Sequence, residues 1–211
     1  MVIRTTPFRV PFPRRLLIRI HQDLFRIEKC ARAYVQWPFE LSNVEMMVLI
    51  SEDRRFFRHN GIDYLSWARE IFKALTFRRF GGASTIDMQF VRAATGYYDR
   101  SIRRKAYEML LAWLIQHKYS KIEILRYYLR IAFFGSHLYG VERASQRVFS
   151  KWQFDLTLEE AADIASMLVY PRPREPTERW AEKIRQRSKY ILSVHPGLKQ
   201  RFEQLPSWEA V

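Results

Sequence analysis

Apolar residues along this chain return mostly every three or four positions, the spacing of one face of an α-helix rather than the alternation of a strand. Near the start, LLIRIHQDLFRI places Leu16, Ile20, Leu24 and Ile27 on one face, with arginines spread around the rest. This stretch reads equally as a core-packing helix or as one that lies on a membrane surface. Three later helix starts carry a capping box, a Ser or Thr followed three residues on by Glu. Ser42 with Glu45 opens a helix running to about Arg54. Ser120 with Glu123 opens one with Ile122, Leu125, Leu129, Ala132 and Phe133 on its apolar face. Thr157 with Glu160 opens one with Ala161, Ile164 and Leu168 inward, stopped by Pro171. Between them, Ile102, Ala106, Met109, Leu110, Trp113 and His117 mark a long amphipathic helix. A last helix runs from about Glu178 to Ser193 and ends near His195, Pro196 and Gly197. The segment YLSWAREIFKALTFRRF, 64–80, is helical but crowded with aromatics and cations, and GGASTID at 81–87 breaks it. With no internal repeat or long linker, the pattern predicts a mainly α fold in one domain, with few or no strands.

Composition agrees with a packed core. Of 211 residues 48% are apolar, with 15 Phe, 11 Tyr and 6 Trp, which excludes a disordered chain. Charge narrows the partner. Lys plus Arg number 36 against 22 Asp plus Glu, giving +14, and such an excess suits nucleic acid, an anionic membrane surface or a phosphate-bearing substrate. No nucleic-acid-binding motif accompanies it. The single Cys30 excludes a disulfide within the chain. The longest uninterrupted apolar run, MLLAWLI at 109–115, is far too short to span a bilayer, and the basic N-terminus lacks the apolar stretch and small-residue cleavage site of a signal peptide.

The residues that carry chemistry are individually weak signals. In SEDRRFFRHNGID, 51–63, the acidic pair Glu52 and Asp53 sits among arginines at the end of an apolar run. Arg104 and Lys105 lie four and three residues before Glu108, so cations and carboxylate share a helix face; taken alone, a surface salt bridge is the better reading. GGASTIDMQF joins a Gly pair to Ser84, Thr85 and Gln89, donors suited to a phosphate or a sugar, although a helix cap by Ser84 or Thr85 explains them equally simply. His21, His59, His117, His137 and His195 show no metal-ligand spacing.

Their order and spacing are more specific. Glu52-Asp53-x-x-Phe56-x-x-His59-x-Gly61 is followed by Gly82-Ala83-Ser84-Thr85-Ile86-x-x-Gln89, then Arg104-Lys105-x-x-Glu108, then Lys121-x-x-Ile124-Leu125-x-x-Tyr128-Leu129. This sequence of motifs resembles the peptidoglycan glycosyltransferases, the family-51 transglycosylase domains of cell-wall synthases and, most of all, their monofunctional type. The resemblance implies a lysozyme-like helical head with a small hydrophobic jaw, about 64–80, that dips into the membrane. It divides the chain into an N-terminal basic amphipathic segment, 1–39, a glycosyltransferase domain, 40–200, and a tail, 201–211. The implied reaction polymerises lipid II into glycan strands, with inversion at the anomeric carbon and release of undecaprenyl pyrophosphate. Glu52 would be the base and Glu108 would sit by the donor pyrophosphate, directly or through a divalent cation, Mg or Mn. Asp53, Phe56, His59, Gly61, Ser84, Thr85, Gln89, Arg92, Arg100, Arg104 and Lys105 would bind substrate or shape its site. The implied partners are lipid II, the growing glycan chain, the anionic surface of the cytoplasmic membrane on its outer, periplasmic face, and other cell-wall synthesis proteins, with no nucleic acid. The alternative is a weak or inactive homologue that binds lipid II or a cell-wall partner. Two positions depart from the family pattern: Met88 replaces the first of two glutamines, and Arg130 stands where an Asn usually closes the fourth motif. The membrane-spanning helix with which most relatives begin is not visible either.

Overall fold

The computed structural model describes residues 12–31, 40–75, 82 and 84–203. It is mainly α. Helices α1 (Phe12–Ala31), α2 (Asn43–Glu52), α3 (Tyr64–Leu75), α4 (Ile86–Thr95), α5 (Ile102–Ile115) and α6 (Lys121–Ile131) are followed by a two-stranded antiparallel ribbon, β1 (Phe133–Gly135) and β2 (Leu138–Tyr139). Helices α7 (Val141–Phe149), α8 (Leu158–Ser166) and α9 (Glu178–Glu203) complete the described residues.

All three capping boxes form, at Ser42, Ser120 and Thr157, each satisfying amides that the first turn leaves without partners. Helix α2 is the centre of the head. It packs against α8 and α9, and Val44, Met47, Val48, Leu49 and Ile50 are all fully buried. A helix apolar on every side has no solvent face to offer, which is why its last polar residues, Ser51 and Glu52, emerge only where it ends. Helix α1 turns Ile20, Leu24 and Ile27 onto the core beside α4, α5 and α6, so that face is core packing. Leu16, also expected on that face, is exposed, as are Leu17, Ile18 and Phe25.

Some faces differ from the periodicity. On α5 the inward residues are Glu108, Leu111, Ala112 and Ile115, while Ile102 is 90% exposed and Trp113 43% exposed. The apolar stripe expected to face the core looks outward. On α6 the buried residues are Ile124, Leu125, Tyr128 and Leu129; Ile122 is half-buried, and Phe133 stands exposed in β1, its ring tilted against that of Tyr139. Helix α9 does not stop near Ser193 but continues through Pro196, because Leu198 beyond it is buried against the rest of the head. Within the expected jaw, 64–75 is helical and 76–80 lies outside the described residues, as do 1–11 and most of the tail.

Candidate active site

Glu52 is the last residue of α2 and lies half-buried on the wall of a groove of about 830 Å³. The groove runs between the end of α2, helix α3 and helix α9. Each carboxylate oxygen of Glu52 accepts one hydrogen bond: Oε1 from Ser51 Oγ at 3.0 Å and Oε2 from Gln89 Nε2 at 3.1 Å. The remaining lone pairs leave room to accept a proton. Gln89 is itself oriented by Tyr128, whose hydroxyl donates to Gln89 Oε1 at 2.8 Å. Burial, and then the charge of Glu52, hold the Tyr128 phenol well above its ordinary pKa, so it stays a donor. From α9, Arg187 Nη2 donates to the carbonyl oxygen of Ser51 at 3.2 Å and to its Oγ at 3.1 Å.

The other first-motif residues face inward. Asp53 is the C-cap of α2, and its Oδ2 accepts the Ile86 N–H at 3.1 Å and faces His59 Nε2 at 3.0 Å. Phe56 is fully buried and packs edge-on against Phe57 and His59, so it is core rather than a substrate contact. Gly61 adopts φ +81°, and a Cβ there would lie 2.5 Å from the Ala112 carbonyl oxygen of α5. Its own carbonyl accepts Thr85 Oγ1 at 2.7 Å. Thr85 is the N-cap of α4 and is buried, so that hydroxyl is used in the fold, although the residue borders the groove.

A second cluster surrounds Glu108, which is 3% exposed. Arg92 grips it through Nη2 at 2.8 Å and Nε at 3.3 Å, Lys105 Nζ lies 3.0 Å from Oε1, and Arg104 Nη1 contacts Oε2. These are not the exposed pairs that the helix spacing suggests, since the side chains of Arg104 and Lys105 are 16% and 18% exposed. Burial pushes the Glu108 carboxyl up, but the Arg92 hydrogen bond and the charges of Lys105 and Arg92 bring it below its ordinary pKa. Burial likewise brings Lys105 below the ordinary lysine value, against the pull of Glu108. Ser84 joins this cluster to the groove: its Oγ accepts from Lys105 Nζ at 2.8 Å and from Arg92 Nη2 at 3.4 Å, and the residue lines the groove wall. Arg100 is exposed in the segment before α5 and stands outside this network. Ser51 and Arg187 carried no sequence signal, whereas Tyr128 stood in the fourth motif without a role assigned to it.

The two departures lie away from Glu52. Met88 is fully buried in the core, and Arg130 stands over the Tyr127 ring, 5.7 Å from its centroid. A glutamine in the conformation of Met88 would bury an amide among apolar side chains, a cost that methionine avoids.

Neither carboxylate cluster fits a divalent cation well. Glu108 already has three cationic side chains on its two oxygens, and a metal ion there would meet their repulsion at a few ångströms. Asp53, His59 and Asp87 are a group whose ligand atoms lie within 4.8 Å of one another, the right types for a metal. Lys121 Nζ, however, sits 3.1 Å from both oxygens of Asp87 and fills that role with its own charge.

Comparison with known proteins gives the family of the chain. Penicillin-binding protein 2a of Streptococcus pneumoniae serotype 2 is 37% identical over 143 residues, covering 68% of this chain and 19% of that protein. Penicillin-binding protein 1A of Rickettsia felis is 34% identical over 149 residues, 69% of this chain and 19% of that one. The biosynthetic peptidoglycan transglycosylase of Shewanella denitrificans is 36% identical over 135 residues, 64% of this chain and 59% of its own length. The matched region is thus about a fifth of the penicillin-binding relatives. The family model described as Transglycosylase matches residues 24–195, which include both Glu52 and Glu108 with their hydrogen-bond partners, and the chain belongs to that family.

Proposed function

We propose that this chain is a peptidoglycan glycosyltransferase that polymerises lipid II on the outer face of the cytoplasmic membrane. The observation that carries the reading is a groove that holds a carboxylate with free lone pairs on its wall and reaches, through Ser84, the cluster of three cations behind it. Glu52 takes the proton of the acceptor GlcNAc 4-hydroxyl as that oxygen attacks the anomeric carbon of the donor. The C1–O bond breaks on the opposite face, and its electron pair leaves with undecaprenyl pyrophosphate, so the configuration inverts. Arg92, Arg104 and Lys105 offset the charge gathering on the pyrophosphate. Gln89, held by Tyr128, acts by aiming Glu52 rather than by binding sugar. Mg or Mn bound by the pyrophosphate itself would add further charge neutralisation, but no step here is assigned to it. Incubation with labelled lipid II in detergent tests the reading: a glycan polymer is expected. Binding of lipid II without polymer would mark an inactive homologue instead.

Lys105 gives this mechanism an alkaline limit. A lysine with a lowered pKa loses its charge at a lower pH than a free lysine does. In the free enzyme, kcat/KM for lipid II should therefore fall on the alkaline side, below the ordinary lysine range. Lys105→Arg, which keeps its charge, should move that limb upward. An unmoved limb would assign it to another group.

Membrane contact is the second part of the proposal. No helix among the described residues is long and apolar enough to cross a membrane. Tyr64, Leu65 and Phe72 on α3 are 63–69% exposed, while Trp67 is half-buried beneath Lys105, whose Nζ lies 5.8 Å from its ring. Helix α5, beside α3 through that contact, adds Ile102 and Trp113. Replacing Leu65 and Phe72 by serine removes about 1.5–3 kcal/mol of insertion at each position, so sedimentation with anionic vesicles should weaken at least about tenfold. Sedimentation equal to wild type would mean that α3 does not face lipid.

A further inference from the structure

We propose that Lys121 is the resident cation of the Asp53–His59–Asp87 cluster and serves as a positioning residue for Glu52; the proposal rests on the assignment of Glu52 as base. The cluster is enclosed, with side-chain exposures of 11% for Lys121, 4% for His59, 5% for Asp53 and none for Asp87. The ammonium lies 3.1 Å from each oxygen of Asp87, 3.5 Å from His59 Nδ1 and 4.5 Å from the centroid of the Phe56 ring. Gln116 Nε2 donates to Asp87 Oδ1 as well. Asp87 occupies one of the positions that the second motif leaves open, and nothing in the sequence singled it out.

The chain of contacts leads to the base. An ammonium has only donors, so its position 3.5 Å from His59 Nδ1 favours the tautomer in which that nitrogen carries no proton, although Asp87 Oδ2 also lies 3.9 Å from it. The ring proton then sits on Nε2, which donates to Asp53 Oδ2 at 3.0 Å. The same oxygen accepts the Ile86 N–H, the first amide of α4. Asp53 thus fastens the end of α2 to the start of α4. The Glu52–Gln89 hydrogen bond spans that same junction, with Glu52 one residue before Asp53 and Gln89 one turn into α4. Lys121 sets the tautomer that holds the Asp53 carboxylate in place for this fastening, and a shift of about 1 Å at a reacting group is enough to cost a large factor in rate.

Two readouts test this. In protein carrying ¹⁵N-histidine, wild type is expected to show His59 as a single Nε2–H tautomer. Lys121→Ala should mix the tautomers and lower kcat for lipid II by about tenfold or more, which is at least 1.4 kcal/mol of barrier, while KM stays within about twofold. Ethylammonium, which fits the vacated space, should restore both the tautomer and kcat. Lys121→Gln, one atom shorter, fills most of the space without the charge and supplies the same measurements if the alanine variant fails to fold; a lowered kcat is expected there too. Wild-type kcat and an unchanged tautomer in a folded variant would overturn the proposal. So would a loss of kcat that ethylammonium does not restore in Lys121→Ala, which would mark a packing role. If wild type itself makes no polymer, the proposed function fails, and the histidine spectra alone decide whether Lys121 holds His59.

Discussion

Glu52→Gln is expected to lower lipid II polymerisation by about 10²- to 10⁴-fold, the usual worth of a general base, without unfolding the protein. The side chain is half-buried and makes two hydrogen bonds, to Ser51 and Gln89, neither of which holds the core together. Glutamine keeps the shape, and a rotation of its amide lets it meet both neighbours. What it lacks is basicity. Binding of lipid II should survive, so the loss belongs in kcat rather than KM. A folded Glu52→Gln protein that polymerises at the wild-type rate would remove Glu52 from the mechanism.

Glu108→Ala should do more damage to the fold. Glu108 is the common partner of Arg92, Arg104 and Lys105, and its loss leaves three mostly buried cations facing one another. Removing one member of a buried ion pair costs about 3–5 kcal/mol, which in a chain of this size lowers Tm by roughly 6–20 °C. The sign with pH follows from its lowered pKa. Its stabilisation is present above the ordinary glutamate pKa and is lost as pH falls through the lower folded value. The variant should therefore melt well below wild type at neutral pH, and the two should converge in acid. Added pyrophosphate should raise the Tm of the variant more than that of wild type, because it supplies the missing negative charge. Equal Tm at neutral pH would show that Glu108 is not what holds the cations.

The capping boxes announced three helix starts because a cap is a local device, written in four consecutive residues. The order of the motifs likewise gave Glu52, Glu108 and their cationic neighbours. The inner face of α5 was hidden, because that helix turns Glu108 inward and Ile102 and Trp113 outward, against the rule that apolar stripes face the core. Phe56 and Thr85 are motif residues whose places prove to be packing and capping, a distinction that spacing does not carry. Asp87, Ser51 and Arg187 meet their partners through folding across 29 to 136 positions of chain, and no local pattern records such meetings. Pro196 misled in the other direction, since burial of Leu198 outweighs one missing backbone hydrogen bond.

At Gly61 the loop that follows Glu52 meets the helix that carries Glu108 main chain to main chain. Gly61 rests on the Ala112 carbonyl with no room for a Cβ, while its own carbonyl takes the Thr85 hydroxyl. Contacts made by side chains drift as residues are exchanged and repacked over many generations. A contact between two backbones has nothing to exchange. The spacing between the proposed base and the proposed binding site of the leaving anion thereby rests on a gauge that repacking of side chains elsewhere does not recut.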